Sequence, residues 1–295
     1  MEEHIGLIGC GIMGSPIARR LVDHGHEVVA FDKSAEAMSR AREIGCSTAA
    51  TPAEVARRST VVIISLPRPE HVVDVVRVGG DCLLAGAEAG SIIVDTSTVD
   101  PATSRENALA AGDIGVGYLD CPILGRPSGV GEWTLLAGGE AAHVTAVTPV
   151  LGTIAAKIVH IGPVGHANVL KLLNNLMFGA INTITCEVFA LGDQLGMDRG
   201  LLFDTIADSG AATVSNLFKE LGPKIVEREF TANFSINNLE KDVGLGLAMA
   251  QAAGMELAFS EMGQELNRLA QKAGLGEEDT AALVKVLKTT ETTEH

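Results

Sequence analysis

His4-Ile5-Gly6-Leu7-Ile8 runs directly into Gly9-Cys10-Gly11-Ile12-Met13-Gly14, and this stretch decides the architecture. The first five residues pattern as a strand. An apolar-periodic segment from Ser15 to Gly25 follows the glycines, and a second apolar run, Glu27 to Phe31, ends in Asp32. Strand, glycine turn, helix and strand are the context in which G-x-G-x-x-G spacing holds a dinucleotide. Gly9 permits the tight turn, Gly11 lets the backbone approach a pyrophosphate, and Gly14 lets helix and strand pack closely. Ile12 and Met13 complete the turn and count with it as cofactor-binding residues. The helix N-terminus brings amide dipoles to the phosphates. Asp32, closing the second strand, stands where a ribose 2′-hydroxyl finds its acceptor.

The chain has 295 residues, room for two domains with a sizeable core. Apolar residues make up 46% and charged residues 20%, the balance of a globular chain. With 37 acidic against 22 basic side chains the formal charge is -15, which speaks against a nucleic-acid partner because phosphate-backbone binding needs Lys and Arg. The same field repels a small anionic substrate, so local cations must capture it. Cys10, Cys46, Cys82, Cys121 and Cys186 are scattered, odd in number and form no C-x-x-C, which suggests reduced, buried thiols in a cytoplasmic setting. Met1-Glu2-Glu3 is acidic where a leader peptide is basic. No uninterrupted apolar stretch reaches membrane-spanning length, so no membrane partner is expected. The polar tail Thr289 to His295 is expected to fray.

The first half alternates β-rich and helical patterns. Strands are expected at Ile5–Ile8, Val28–Phe31, Val61–Leu66, Ser91–Asp95, Tyr118–Ile123, Thr134–Leu136 and Ile158–Ile161, with helices such as Ala35–Ile44, Pro52–Arg58, Glu70–Val76 and Pro101–Ala111 between them. That alternation predicts an α/β fold, a doubly wound parallel sheet of Rossmann type. Val61-Val62-Ile63-Ile64 and Ile92-Ile93-Val94 are continuous apolar runs, as in strands covered on both faces. After Gly165 the texture changes. Ala167 to Leu195 has no proline and reads as one long helix, apolar on most sides and therefore expected to be buried on several faces. Helical segments continue at Arg199–Asp208, Ser215–Ile225, Asn238–Ala253, Ser260–Ala273 and Thr280–Lys288. The expected division is a dinucleotide domain over residues 1–162 and an all-helical C-terminal domain over residues 163–295.

Within the long helix, Lys171, Asn174 and Asn175 share one face. Three polar groups on an apolar helix need partners. Either they satisfy solvent or a neighbouring loop, or, beside a dinucleotide, the ammonium exchanges a proton with a substrate hydroxyl or carbonyl and the amides orient it. Ligands of open α/β sheets bind beyond the carboxyl ends of strands. Asp95-Thr96-Ser97-Thr98 stands at one such end, where its hydroxyls can meet nicotinamide or substrate or can simply cap the helix at Pro101. Ser65-Leu66-Pro67 stands at another, which assigns Leu66 and Pro67 to the cofactor. A third loop, Asp120 to Gly129, brings Leu124, Gly125 and Arg126; its glycines can expose amides and Arg126 can grip a carboxylate, phosphate or sulfonate through two N–H groups. Taken alone, Arg126 is an ordinary solvated arginine. The eight histidines show no ligand spacing, so no metal is expected.

Gly9 to Pro16, Asp95 to Thr98, Asp120-Cys121-Pro122, Gly165 through Lys171 to Asn175, and Leu239-Glu240-Lys241-Asp242 together resemble the β-hydroxyacid dehydrogenase family over nearly the whole chain. Its members include 3-hydroxyisobutyrate dehydrogenases, tartronate semialdehyde reductases, glyoxylate/succinic semialdehyde reductases and sulfolactaldehyde reductases. The resemblance implies hydride transfer between NAD and a small β-hydroxy acid or its semialdehyde. It makes Lys171 the catalytic acid/base, and makes Asn174 and Asn175 substrate holders; the oxidative direction needs a neutral lysine, which burial or nearby cations would favour. Thr98 contacts the cofactor near the nicotinamide and the substrate, and Lys241 closes over the cofactor. NAD is favoured over NADP because Asp32 repels a 2′-phosphate, with Lys33 beside it partly offsetting that. The resemblance further implies a homodimer or homotetramer built through the long helix. One departure bears on substrate: where the family commonly has Asp-x-Pro-Val-Ser-Gly-Gly, the positions of its Ser-Gly-Gly are Leu124-Gly125-Arg126 here, in a shortened loop that runs to Trp133. A hydroxyl is lost and an arginine gained, similar to sulfolactaldehyde reductases, and a sulfonate or a second carboxylate suits it. A dinucleotide-binding sensor without turnover is the alternative of another class, disfavoured by the presence of Lys171.

Overall fold

The computed structural model describes residues 4–211 and 213–287. The acidic start at Met1-Glu2-Glu3, Lys288 and the tail from Thr289 lie outside the described residues. The chain forms two compact units, Met1–Lys171 and Leu172–His295. The division falls inside the long helix, beyond the boundary expected near residue 162.

Unit 1 runs β1 (Ile5–Ile8), α1 (Gly14–Asp23), β2 (Val28–Phe31), α2 (Ala35–Ile44), β3 (Ser47–Thr48), α3 (Pro52–Arg57), β4 (Val61–Ile64), α4 (Pro69–Arg77), α5 (Leu83–Gly86), β5 (Ile92–Asp95), α6 (Pro101–Gly112), β6 (Gly117–Asp120), β7 (Ile123–Leu124), β8 (Trp133–Gly138), α7 (Ala141–Ile154) and β9 (Ala155–Gly162). The strand order is β3-β2-β1-β4-β5-β6-β8-β7, with β9 beside β8. All pairs from β3 to β6 are parallel. The chain reverses its direction of winding between β1 and β4, the crevice at which doubly wound sheets bind ligands. The alternation of side chains sorts the strands into two cores. Leu7, Ile63, Val94 and Leu119 face one, with α1 and α7 over them. Ile8, Val62, Ile64, Ile93 and Tyr118 face the other. Burial on both faces is why these strands read as continuous apolar runs.

Local chemistry sets the helix starts. Ser34 accepts from the Ala37 N–H, Thr51 from Glu54 and Asp100 from Thr103, with proline opening both α3 and α6. The structure departs from the expected strands in identifiable ways. The strand expected over Val61–Leu66 stops at Ile64, because the Leu66 N–H leaves the ladder for the Ser97 hydroxyl. The strand expected over Tyr118–Ile123 is broken at Cys121-Pro122, where proline has no N–H to give. The parallel sheet continues into an antiparallel extension, since β8 runs against β6 and β7. The two-residue β3 is polar and carries no apolar signal, and α7 holds Pro149 in its interior, which hides its helical pattern.

The 29-residue α8 (His166–Gln194) crosses the division between units. Unit 2 continues with α9 (Arg199–Asp208), α10 (Asn216–Glu227), α11 (Ile236–Ala252) and α12 (Ala258–Lys272). A short 3₁₀ helix, Thr280–Lys285, stands where a helix to Lys288 was expected. The described residues of unit 2 contain no strand, only an isolated bridge between Ser235 and Asp279. Its core gathers Phe189, Phe218, Leu221, Ile225, Ile236 and Leu283. The expectation of a helix buried on several faces is corrected for the single chain: Met177 is 67% and Leu191 60% exposed. By length and composition α8 could cross a bilayer, with a mean hydropathy of 1.2 over its most apolar window. Buried Asn175 and Asn182 are instead spent on hydrogen bonds to Asp242 and to the Thr280 carbonyl, as in a helix packed within protein.

Candidate active site

The glycine turn is forced by contact. Gly9 has φ +92°, and a Cβ on it would lie 2.2 Å from the Ser65 carbonyl oxygen. A Cβ on Gly14 would lie 1.8 Å from the Gly9 carbonyl oxygen. Gly11 differs: a Cβ there would meet nothing within 4 Å, so its bareness serves no packing within the chain. No side chain caps α1 at Met13; of its first turn, the Ser15 N–H donates to the Gly11 carbonyl at 2.9 Å and Pro16 carries no N–H, so the positive end of the helix rather than a row of open amides faces the turn. Asp32 binds the turn from the next strand, accepting from the Cys10 N–H on Oδ2 and from the Ser34 N–H on Oδ1, both at 2.8 Å. Carboxylate oxygens accept more than one bond, so the same group can take ribose hydroxyls. An open Gly11, the N-terminus of α1 and this acid fit a dinucleotide.

The loops after β4 and β5 are tied to each other. The Ser97 hydroxyl accepts from the Leu66 N–H at 2.9 Å, and the Ser97 N–H donates to Asp95 Oδ1 at 2.9 Å. Tyr118 donates its hydroxyl to Asp95 Oδ2 at 2.9 Å. Burial pushes the Asp95 carboxyl up to about 6, while the bonds from Ser97 and Tyr118 pull it back. Burial and the neighbouring Asp95 push the Tyr118 phenol well above its ordinary value. Thr98 follows Ser97 half-buried, Leu66 is half-buried and Pro67 exposed, so this end of the sheet presents all three.

Beyond β6, Leu124 pairs with Thr134. A Cβ on Gly125 would lie 2.2 Å from Trp133 Cδ1, and Trp133 Nε1 donates to the Arg126 carbonyl at 2.6 Å. A fully buried tryptophan therefore shapes the short loop, and only glycine fits over it. Lys171 Nζ donates to the Ile123 carbonyl at 2.7 Å, one residue before Leu124. The ammonium, Leu124, Gly125 and Arg126 are thus brought to one loop of unit 1.

In unit 2, Asn175 is buried and donates through Nδ2 to Asp242, while the exposed Asn174 donates to Asn175 Oδ1 at 3.1 Å. Asp242 also pairs with Lys241 at 2.6 Å. Asp242 adjoins Lys241 in sequence, but its burial beside two candidate residues is a tertiary fact that helix spacing cannot reveal. Lys171, Asn174 and Asn175 stand on successive turns of α8, as their spacing predicts. All five cysteines are free and buried, and burial raises the Cys10, Cys46, Cys121 and Cys186 thiols. Among the described residues, no group of three or more His, Cys, Asp or Glu could hold a metal ion.

Residues 4–162 match the family model for the NAD binding domain of 6-phosphogluconate dehydrogenase. Residues 165–287 match that for the NAD-binding of NADP-dependent 3-hydroxyisobutyrate dehydrogenase. The chain is 32% identical over 293 residues to a probable mitochondrial 3-hydroxyisobutyrate dehydrogenase of Dictyostelium discoideum, covering 97% of this chain and 91% of that protein. It is 29% identical over 284 residues to the 2-(hydroxymethyl)glutarate dehydrogenase of Eubacterium barkeri, covering 96% and 94%. Among solved structures, a 3-hydroxyisobutyrate dehydrogenase from Salmonella typhimurium superposes with a TM-score of 0.88 at 26% identity, covering 97% of this chain and all of that one.

Proposed function

The chain belongs to the β-hydroxyacid dehydrogenase family, and from that premise we propose that it moves hydride between NAD and a small β-hydroxy acid or its semialdehyde, with Lys171 as acid/base. That it is an oxidoreductase with a nicotinamide cofactor follows from the family. The observation that carries the rest is the Lys171 ammonium, held against the Ile123 carbonyl at the substrate loop.

The nicotinamide cofactor supplies the hydride acceptor or donor when bound. Lys171 then takes the hydroxyl proton as alcohol becomes carbonyl, and returns it in the reverse direction. The Ile123 carbonyl fixes where Nζ stands while it does so. Thr98, Asn174 and Asn175 orient the substrate, and Leu124, Gly125 and Arg126 receive its anionic end. The turn from Gly9 to Gly14, with Leu66, Pro67, Thr98 and Lys241, is assigned to the cofactor. NAD is preferred over NADP because a 2′-phosphate would meet the Asp32 carboxylate. The five unpaired cysteines suit a reducing, cytoplasmic compartment.

The Gly125–Arg126 loop favours a second reading of the substrate, one with an additional anionic group such as a sulfonate or a second carboxylate. The relative from Eubacterium barkeri is named for a dicarboxylic hydroxy acid. Tartronate semialdehyde and sulfolactaldehyde are candidates of this kind. The deciding experiment is a panel of 3-hydroxyisobutyrate, glycerate, 4-hydroxybutyrate and dihydroxypropanesulfonate with NAD and NADP, followed by absorbance. Lys171→Ala is expected to lower kcat by about 10²- to 10⁴-fold on the best substrate. Survival of turnover within a few-fold would overturn the assignment. Arg126→Ala should raise KM on substrates with a second anion far more than on 3-hydroxyisobutyrate; an equal effect on both removes Arg126 from specificity.

A further inference from the structure

Asp120 is fully buried at the end of β6, and its two oxygens reach across to the start of α8. Oδ1 accepts from the Gly165 N–H at 2.8 Å and Oδ2 from the Asn168 N–H at 2.9 Å. These are amides at a helix start, which has no intrahelical acceptors for them. Asp120 thus does from a neighbouring strand what an N-cap does from within the chain, and its charge lies at the positive end of the helix dipole.

Lys171 stands one turn further along the same helix. Its Nζ donates to the carbonyl of Ile123, in the short segment that Asp120 begins. Residues 120–123 therefore grip the helix at two heights, first at its opening amides and then at the ammonium. Asn168 adds a third tie, accepting from the Val99 N–H on Oδ1 and donating through Nδ2 to the Ser104 hydroxyl, each at 3.2 Å. Val99 directly follows Thr98, so the Thr98 loop and the Lys171 turn share one junction. The chain also keeps a glycine for this carboxylate. A Cβ on Gly138, its partner across to β8, would lie 2.3 Å from Asp120 Oδ1.

We propose that Asp120 is a positioning residue for the reaction, setting the height and rotation of the α8 opening turn so that Lys171 Nζ meets the substrate oxygen. The chemistry of the contact requires the acid. Two N–H donors face two oxygens, and an amide would turn its own NH₂ toward one of them. The inference rests on Lys171 being the acid/base, and the test separates the two.

Asp120→Asn, Lys171→Ala and the double variant are compared in the full chain by kcat, KM and NAD affinity. Asp120→Asn is expected to lower kcat about 10- to 100-fold, since small misplacements of a reacting group cost that much, with NAD affinity unchanged. In the Lys171→Ala background the same change should cost less than about twofold, because a residue acting through Lys171 has nothing left to position. Gly138→Ala keeps the acid but crowds Oδ1, and should reproduce the kcat loss if Asp120→Asn does not fold. Losses that multiply in the double variant, or unchanged kcat in both Asp120→Asn and Gly138→Ala, would overturn the proposal. Full turnover by Lys171→Ala alone would instead overturn the functional reading on which it rests.

Discussion

Gly11 and Gly14 belong to one motif but answer to different forces. Gly14→Ala would drive a methyl into the Gly9 carbonyl, so the fold itself is expected to yield, with unfolding free energy lowered by about 1–3 kcal/mol. Gly11→Ala meets no atom, so stability should stay within about 1 kcal/mol of the parent while the Kd for NAD rises at least about tenfold. Calorimetric titration beside urea unfolding checks both; a Gly11→Ala protein that binds NAD normally would place the pyrophosphate elsewhere. Asp242 is a residue of the other unit whose worth is tertiary. Asp242→Asn leaves Lys241 without its carboxylate and turns amide toward amide at Asn175, and should cost about 3 kcal/mol of stability, read by urea midpoint at constant slope.

At the scale of elements, the starts of α2, α3, α6, α9, α10 and α11 were legible because in each a side chain accepts from an amide of the first turn. Asp100 shows this fully, accepting from both the Thr103 N–H and the Thr103 hydroxyl ahead of Pro101. Asp100→Ala should destabilise the protein by about 1 kcal/mol with activity retained. The breaks in elements were less legible. Nothing in Ser65-Leu66 marks the strand end at Ile64, since the reason is a hydroxyl of Ser97 on another loop. The arrangement of α8 divides the same way: spacing placed Lys171, Asn174 and Asn175 on one face, but their separate partners, Ile123 and Asp242, are distant in sequence.

For the whole molecule, the buried Asp95 makes stability depend on pH in a defined sense. Its carboxyl ionises near 3.8 when unfolded and at about 6 when folded. Between those values the folded state holds the extra proton, so this contribution to stability is present at low pH and is lost as pH rises through about 6. Asp95→Asn removes that term, and other carboxylates cancel in the difference. Relative to Asp95→Asn, the parent should therefore lose about 2 kcal/mol between about pH 4.5 and about pH 7.5, measured by urea unfolding. A constant difference would show that Asp95 does not titrate as its burial implies. Exposed Met177 and Leu191 on α8 support the proposed self-association, and light scattering should return a dimer or tetramer rather than a monomer. The amino-acid sequence alone determined the doubly wound sheet, the dinucleotide turn and the helix that carries Lys171, because apolar period, glycine sterics and caps act over a few residues. Only the tertiary structure decided that Asp120 caps that helix, that Ile123 holds the lysine, that Trp133 shapes the Gly125 loop and that Asp242 joins Asn175 to Lys241. Those are hydrogen bonds and contacts between segments whose approach is set by packing, and no local pattern encodes which atoms will meet.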